Sequence, residues 1–189
     1  MSLCTSEAAA DLIRARRTVH DFKPDPIPPK ALVEQALELA RWAPNHHLTE
    51  PWNFYLLGPE TKGAVCDLNY RLMVEKRGVE QADIKHRRWL AIPGWIAVAC
   101  RNDDNPLTQQ ENYAACACAI QNAMLYWWSA GVGSKWSTGV VIRQPEFYEQ
   151  LAIDPDCETV IGLLWYGYPA RLQDPPRQRT LDSILIERP

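Results

Sequence analysis

The residues with the most pointed chemistry are arginines in two pairs. Arg16 and Arg17 are adjacent, and Arg177 and Arg179 flank Gln178 near the other end of the chain. A guanidinium presents N–H donors in a fixed planar fork, which suits a phosphate better than a flexible ammonium does. Two such pairs could close on one phosphate, although solvated surface arginines would read the same way. A second constellation is Ala43-Pro44-Asn45-His46-His47-Leu48-Thr49-Glu50-Pro51-Trp52-Asn53-Phe54. It leaves a helix, makes a polar turn and enters an apolar run, the setting in which loops display binding groups. His46 and His47 are two of only 4 histidines. As sequence neighbours they are awkward joint ligands of one ion. There is no His-Glu-x-x-His, and the 6 cysteines show no Cys-x-x-Cys spacing, so no metal site is expected. Gly-x-Gly-x-x-Gly, Gly-x-x-x-x-Gly-Lys-Ser/Thr and Gly-x-Ser-x-Gly are all missing. Dinucleotide folds, phosphate loops and serine-nucleophile elbows are therefore unsupported.

Bulk properties bound the elements that must hold these groups. At 189 residues one domain, 1–189, is expected, long enough to bury roughly 70% of its unfolded surface. A 47% hydrophobic fraction with 23% charged residues is that of a globular protein. A net charge of −3 gives no general attraction to nucleic acid or anionic membrane. Met1-Ser2-Leu3-Cys4-Thr5 lacks a basic region followed by an apolar run, and the cysteines read as reduced thiols. Both point to the cytoplasm.

Taken in order, Ser6 is the expected cap of a helix that ends near Arg16. The prolines between Lys23 and Pro29 make a stiff connector. Leu32, Val33, Ala36, Leu37, Leu39 and Ala40 form the core stripe of a second helix, stopped by Pro44. Trp52 to Leu57 reads as a strand buried on both faces. Helices are expected over 61–77 and 79–90, the second carrying Lys85, His86, Arg87 and Arg88 on a solvated face. Trp95 to Cys100 is a second buried strand, and 101–108 a polar loop. Tyr113 to Ala130 is an Ala-rich helix apolar nearly all round, so it belongs in a core or a subunit interface. Its central Gln121-Asn122 argues against a membrane span. Ser134 to Gly139 is a polar turn carrying Trp136, 145–151 a short helix, and 159–167 a third apolar strand. Helices alternating with few strands mean one α/β or α+β domain with helices covering a mixed sheet.

The ordered set Arg16-Arg17-Thr18 with Phe22, Ala43-Pro44, Pro51-Trp52-Asn53-Phe54, the Ala-rich helix, Gly131-Val132-Gly133 before Trp136, and Gly167-Tyr168-Pro169 resembles the nitroreductase family of FMN enzymes. The resemblance runs from about Ile13 to Ile186 and is nearest the small subgroup without large insertions. It implies a three-layer α+β fold, a mixed and mostly antiparallel sheet, and an intertwined homodimer with FMN at the interface. Arg16, Arg17 and Thr18 would hold the FMN phosphate and ribityl chain, with Arg177 and Arg179 as a further basic pair. Trp42, His46 and His47 would lie near the flavin, from the partner subunit. Trp136, Ser137 and Thr138 would pass beside its ring. NAD(P)H would serve as co-substrate in a ping-pong cycle ending on a nitroaromatic, quinone or similar small acceptor. No residue is dedicated to catalysis, because the flavin carries the chemistry. Lys135, His46 and His47 are candidates for tuning it. A flavin-fragmenting or dehalogenating enzyme, or a flavin-binding redox sensor, is the alternative. His20 and Glu50 depart from the family pattern, the latter standing where a Gln is usual.

Overall fold

Two segments are buried along almost their whole length, so they must lie inside a sheet rather than at its edge. They are β3 (Gly94–Arg101) and β5 (Glu158–Gly167), and they pair antiparallel through the centre. The computed structural model describes residues 5–173 and 176–188. In it β2 (Trp52–Leu56) flanks β3 and β4 (Gly133–Ser137) flanks β5, giving the order β2-β3-β5-β4 with every ladder antiparallel. A parallel bridge between Thr18 and Ser134 makes the pairing mixed, and β1 (Asp21–Phe22) joins β6 (Pro169–Arg171) in a separate two-stranded ribbon.

Side chains alternate across a strand, so the central strands feed two cores. Ile96, Val98, Cys100, Ile161 and Leu164 face one core, shared with α2 (Lys30–Ala40) and α5 (Pro106–Ser129). Trp95, Ala97, Ala99, Val160, Leu163 and Trp165 face the other, packed under α3 (Pro59–Arg77), α4 (Val79–Leu90) and α6 (Pro145–Leu151). The result is the expected three-layer arrangement. A last helix, α1 (Ser6–Ala15), buries none of its residues and leads into the arginine pair. Among the described residues no helix is long and apolar enough to cross a membrane, and Cys66, Cys100, Cys116, Cys118 and Cys157 are free thiols.

Several local expectations are corrected. Thr5, not Ser6, caps α1, accepting from the Ala8 amide at 3.2 Å. β2 has a neighbour on one side only, so its middle is half-buried rather than covered on both faces. α5 begins at Pro106, inside the expected loop, because Asn105 Oδ1 accepts from the Leu107 and Thr108 amides and Pro106 needs no donor there. The expected polar turn at Ser134–Gly139 is mostly strand β4, whose residues pair with Leu163 to Gly167. Gly162 makes that pairing possible: a Cβ on it would lie 2.0 Å from Trp136 Nε1, which instead donates to the Ile161 carbonyl at 3.1 Å.

Candidate functional site

The segment after α1 is seated by one residue. Val19 is fully buried, its amide donates to the Ser134 carbonyl at 3.0 Å, and its methyl groups sit where a Cβ on Gly133 would be. With Val19 turned in, period-two alternation turns Thr18 and His20 out. They open onto a cavity of about 420 Å³ that also takes Arg16, Arg17, Gln173 and Arg177 in its walls. Arg16 is the critical group. Among the described residues its buried Nη1 has no hydrogen-bond partner, and its pKa is lowered by burial first and then by the nearby charges of Arg177 and Arg17. A buried guanidinium nitrogen with no acceptor, beside two more guanidiniums, costs free energy until an anion meets it. Arg17 Nη1 donates to the carbonyls of Arg14 and Arg16, which bends its side chain back along the turn.

His20 also belongs to the wall of a second cavity, of about 680 Å³, beneath α3 and α4. Leu72, Trp89 and Trp165 give it flat and apolar walls, Asn69 adds a polar amide, and Lys135, Ser137 and Gly139 bring in the end of β4. Lys135 Nζ lies 4.7 Å from the Trp165 ring centroid and 3.4 Å from His20 Nδ1. Its pKa is lowered by burial and then by Arg88 and Lys85. His20 is likewise pushed down by burial and by Lys135, against an opposing pull from Asp21. Asn69 Nδ2 and Trp165 Nε1 are buried donors without a partner among the described residues. The two cavities share His20 in their walls; the smaller offers anion donors, and the larger has Asn69 and Trp165 in its lining.

The histidine loop lies elsewhere. His47, Leu48 and Glu50 take positive φ values of 59°, 50° and 44°, a conformation that costs free energy in residues with a Cβ. Asn45 holds it, accepting from the Glu50 amide at 2.6 Å and donating to Thr49 Oγ1 at 2.9 Å. Thr49 in turn donates to the buried Asn112 at 2.7 Å. The outcome is two stacked imidazoles, 3.8 Å between centroids, with His46 Nδ1 2.9 Å from Glu111. Trp42 is 78% exposed and Leu48 83%.

The structure therefore brings Arg16, Arg17, Thr18 and Arg177 together and carries Lys135 and Ser137 into the adjoining cavity. Arg179 does not join them: it donates to the Ser183 carbonyl at 2.6 Å within the tail. Trp136 turns its indole across Gly162 into the sheet, and Thr138 lines a different cavity beneath α6. Trp42, His46 and His47 line neither of these two cavities. The missed residues are His20, Asn69 and Lys85. His20 stood beside the arginine pair as a departure from the family pattern, whereas nothing local marks Asn69 or Lys85.

Residues 13–168 match the family model described as Nitroreductase family. The Bacillus subtilis protein YfhC, whose name is that of an NAD(P)H nitroreductase, is 30% identical over 163 residues, 84% of this chain and 83% of that protein. A nitroreductase-like family protein from Bacillus cereus superposes with a TM-score of 0.83 at 29% identity, covering 99% of this chain and 98% of that one. A nitroreductase of Desulfovibrio desulfuricans solved in complex with FMN shares the fold, with a TM-score of 0.77 at 22% identity over 98% of this chain and 99% of that one.

Proposed function

The chain belongs to the nitroreductase family, and from that premise we propose that it is an FMN-dependent oxidoreductase working as one domain in a homodimer. Bound FMN would supply the hydride chemistry between NAD(P)H and a nitroaromatic, quinone or similar acceptor, the two substrates acting in ping-pong order. The observation that carries the reading is the orphaned Arg16 Nη1 in an arginine-walled cavity.

Arg16 and Arg177 hold the phosphate by charge-assisted hydrogen bonds, and Thr18 meets the ribityl chain. His20 also lines the larger cavity, where Asn69 and Ser137 offer partners to the polar edge of the ring. Lys135, half-buried on the Trp165 face, supplies positive charge where negative charge would build up on reduction.

The dimer draws support from apolar groups left on the surface. Besides Trp42 and Leu48, the tail exposes Leu181, Ile184, Leu185 and Ile186 at 53–70%. Such a run covers itself against a second copy. That copy would bring Trp42, His46 and His47 towards the flavin.

The test is an absorbance spectrum of the purified protein followed by anaerobic titration with NADH and with NADPH. Flavin bands bleached by one equivalent of donor per subunit are expected. A protein that stays colourless after incubation with FMN would overturn the reading.

A further inference from the structure

Among the described residues the cavity beneath α3 and α4 carries Lys76, Arg77, Lys85, Arg88 and Lys135 in its walls and no carboxylate, in a chain whose formal charge is −3. Among the described residues only Arg88 has an acidic partner at ion-pair distance, Asp21 at 3.3 Å. Lys85 reaches Met73 Sδ at 3.5 Å and lies 5.2 Å from the Trp89 ring centroid, so sulfur and an aromatic face stand where a carboxylate would be ordinary. Its pKa is lowered by burial first, and then by Arg77 and Lys76. Like charges gathered around a half-buried lysine oppose folding, and the surplus exceeds what a cofactor needs. A bound FMN takes its phosphate to Arg16 and Arg177 and brings at most one negative charge to its ring, which Lys135 can answer. Lys76, Arg77 and Lys85 stand on the helical wall beyond, and they remain unmatched.

Resting on the proposed flavin oxidoreductase, we propose that the α3–α4 wall is a specificity site selecting acceptors that carry a carboxylate. A conjugated ring would lie in the slot with its anionic substituent towards Lys85 and Lys76. Neutral acceptors fit the same slot without that anchor.

The probes are 4-nitrobenzoate and its neutral near-isostere 4-nitrobenzamide, titrated into the FMN-loaded protein. Quenching of Trp89 and Trp165 fluorescence gives Kd without turnover, and kcat/KM is measured beside it. Tighter binding of the carboxylate by about 10- to 100-fold is expected, the worth of a charge-assisted hydrogen bond. High salt shrinks that preference. Lys85→Met and Lys76→Met each reduce it towards unity, leaving the Kd of the amide and the flavin content unchanged. Because Lys76 is exposed, its variant is expected to fold even where Lys85→Met does not. Equal affinity for the two probes in the wild type overturns the proposal, as does a preference that survives both variants. A raised KM for NADPH with the acceptor preference intact would assign the wall to the donor's phosphate and also overturn it. Failure of the flavin reading shows separately, as missing FMN or no bleaching by either nicotinamide, while the fluorescence titration still reports on the wall.

Discussion

Two cavities differ in what lines them, and the larger is the chemically plainer. The one beneath α6, of about 810 Å³, is walled mainly by groups such as Ile142, Tyr148, Ile153 and Val160, with Arg143 and Glu149 supplying one charge of each sign. The one beneath α4, of about 680 Å³, has five cations and no carboxylate among the described residues. Volume alone would choose the first. What marks the second is unmatched polarity: cations without acids, buried N–H groups without acceptors, and a wall residue, His20, shared with the arginine cradle. A folded chain tolerates such a deficit where a ligand makes it good.

The contrast can be broken in graded ways. The largest effect is expected from Arg16→Ala, which should weaken FMN binding by about 100-fold in a flavin-fluorescence titration, as loss of a charge-assisted bidentate contact implies. Arg179→Ala, whose side chain is engaged in the tail, should change that affinity by less than about twofold. Parity between the two would mean that the cradle is drawn wrongly. Next comes Gly162→Ala. Its methyl must displace the Trp136 indole from β5, at a cost of roughly 1–3 kcal/mol in urea denaturation. The preference for anionic probes should survive, since Trp136 is not a charged wall.

Lys85→Met sharpens the comparison through pH. The folded-state pKa of Lys85 lies below its ordinary 10.5, so the charged form costs stability at neutral pH. That cost fades as pH rises from the depressed pKa towards 10.5, where both folded and unfolded chains lose the proton. The variant should therefore melt at higher temperature than wild type at pH 7, with the gap closing in alkaline buffer. A constant gap would make packing, not charge, the cause. The smallest effect is reserved for the balanced cavity: Glu149→Gln should alter FMN affinity and kcat/KM by less than about twofold.

Long-period features were legible in the chain and local exceptions were not. The apolar runs of β3 and β5 and the stripe of α2 announced themselves, because burial on two faces or one writes a simple pattern. β4 did not: Ser134-Lys135-Trp136-Ser137 reads as a turn, and only pairing with β5 and the space left by Gly162 make it a strand. The start of α5 was written in Asn105-Pro106 but masked by the polar first turn that follows. At the site, Arg16, Arg17 and Thr18 stood out by type and spacing. Lys85 did not, because its meaning comes from Lys135, 50 positions on and brought close only by the fold. A solvated helix face and a charged cavity wall look alike until the opposite wall is known. Arg179 shows the converse: the right residue type, engaged four residues on by a carbonyl of its own tail.

The arginine cradle has a further consequence for how the protein comes into being. Its walls come from residues between 13 and 20 together with Gln173, Pro176 and Arg177, and its floor is fixed by the Val19–Ser134 contact. Pieces separated by most of the chain must meet before the cavity exists. Contacts of such sequence separation pay their loop-closure entropy late on the route to the native state. A ligand bound there cannot guide the early steps of refolding. It acts by holding the finished state, slowing its loss and protecting the two chain ends from proteases. Cofactor added during refolding should accordingly raise the yield of native protein while leaving the early kinetic phases untouched.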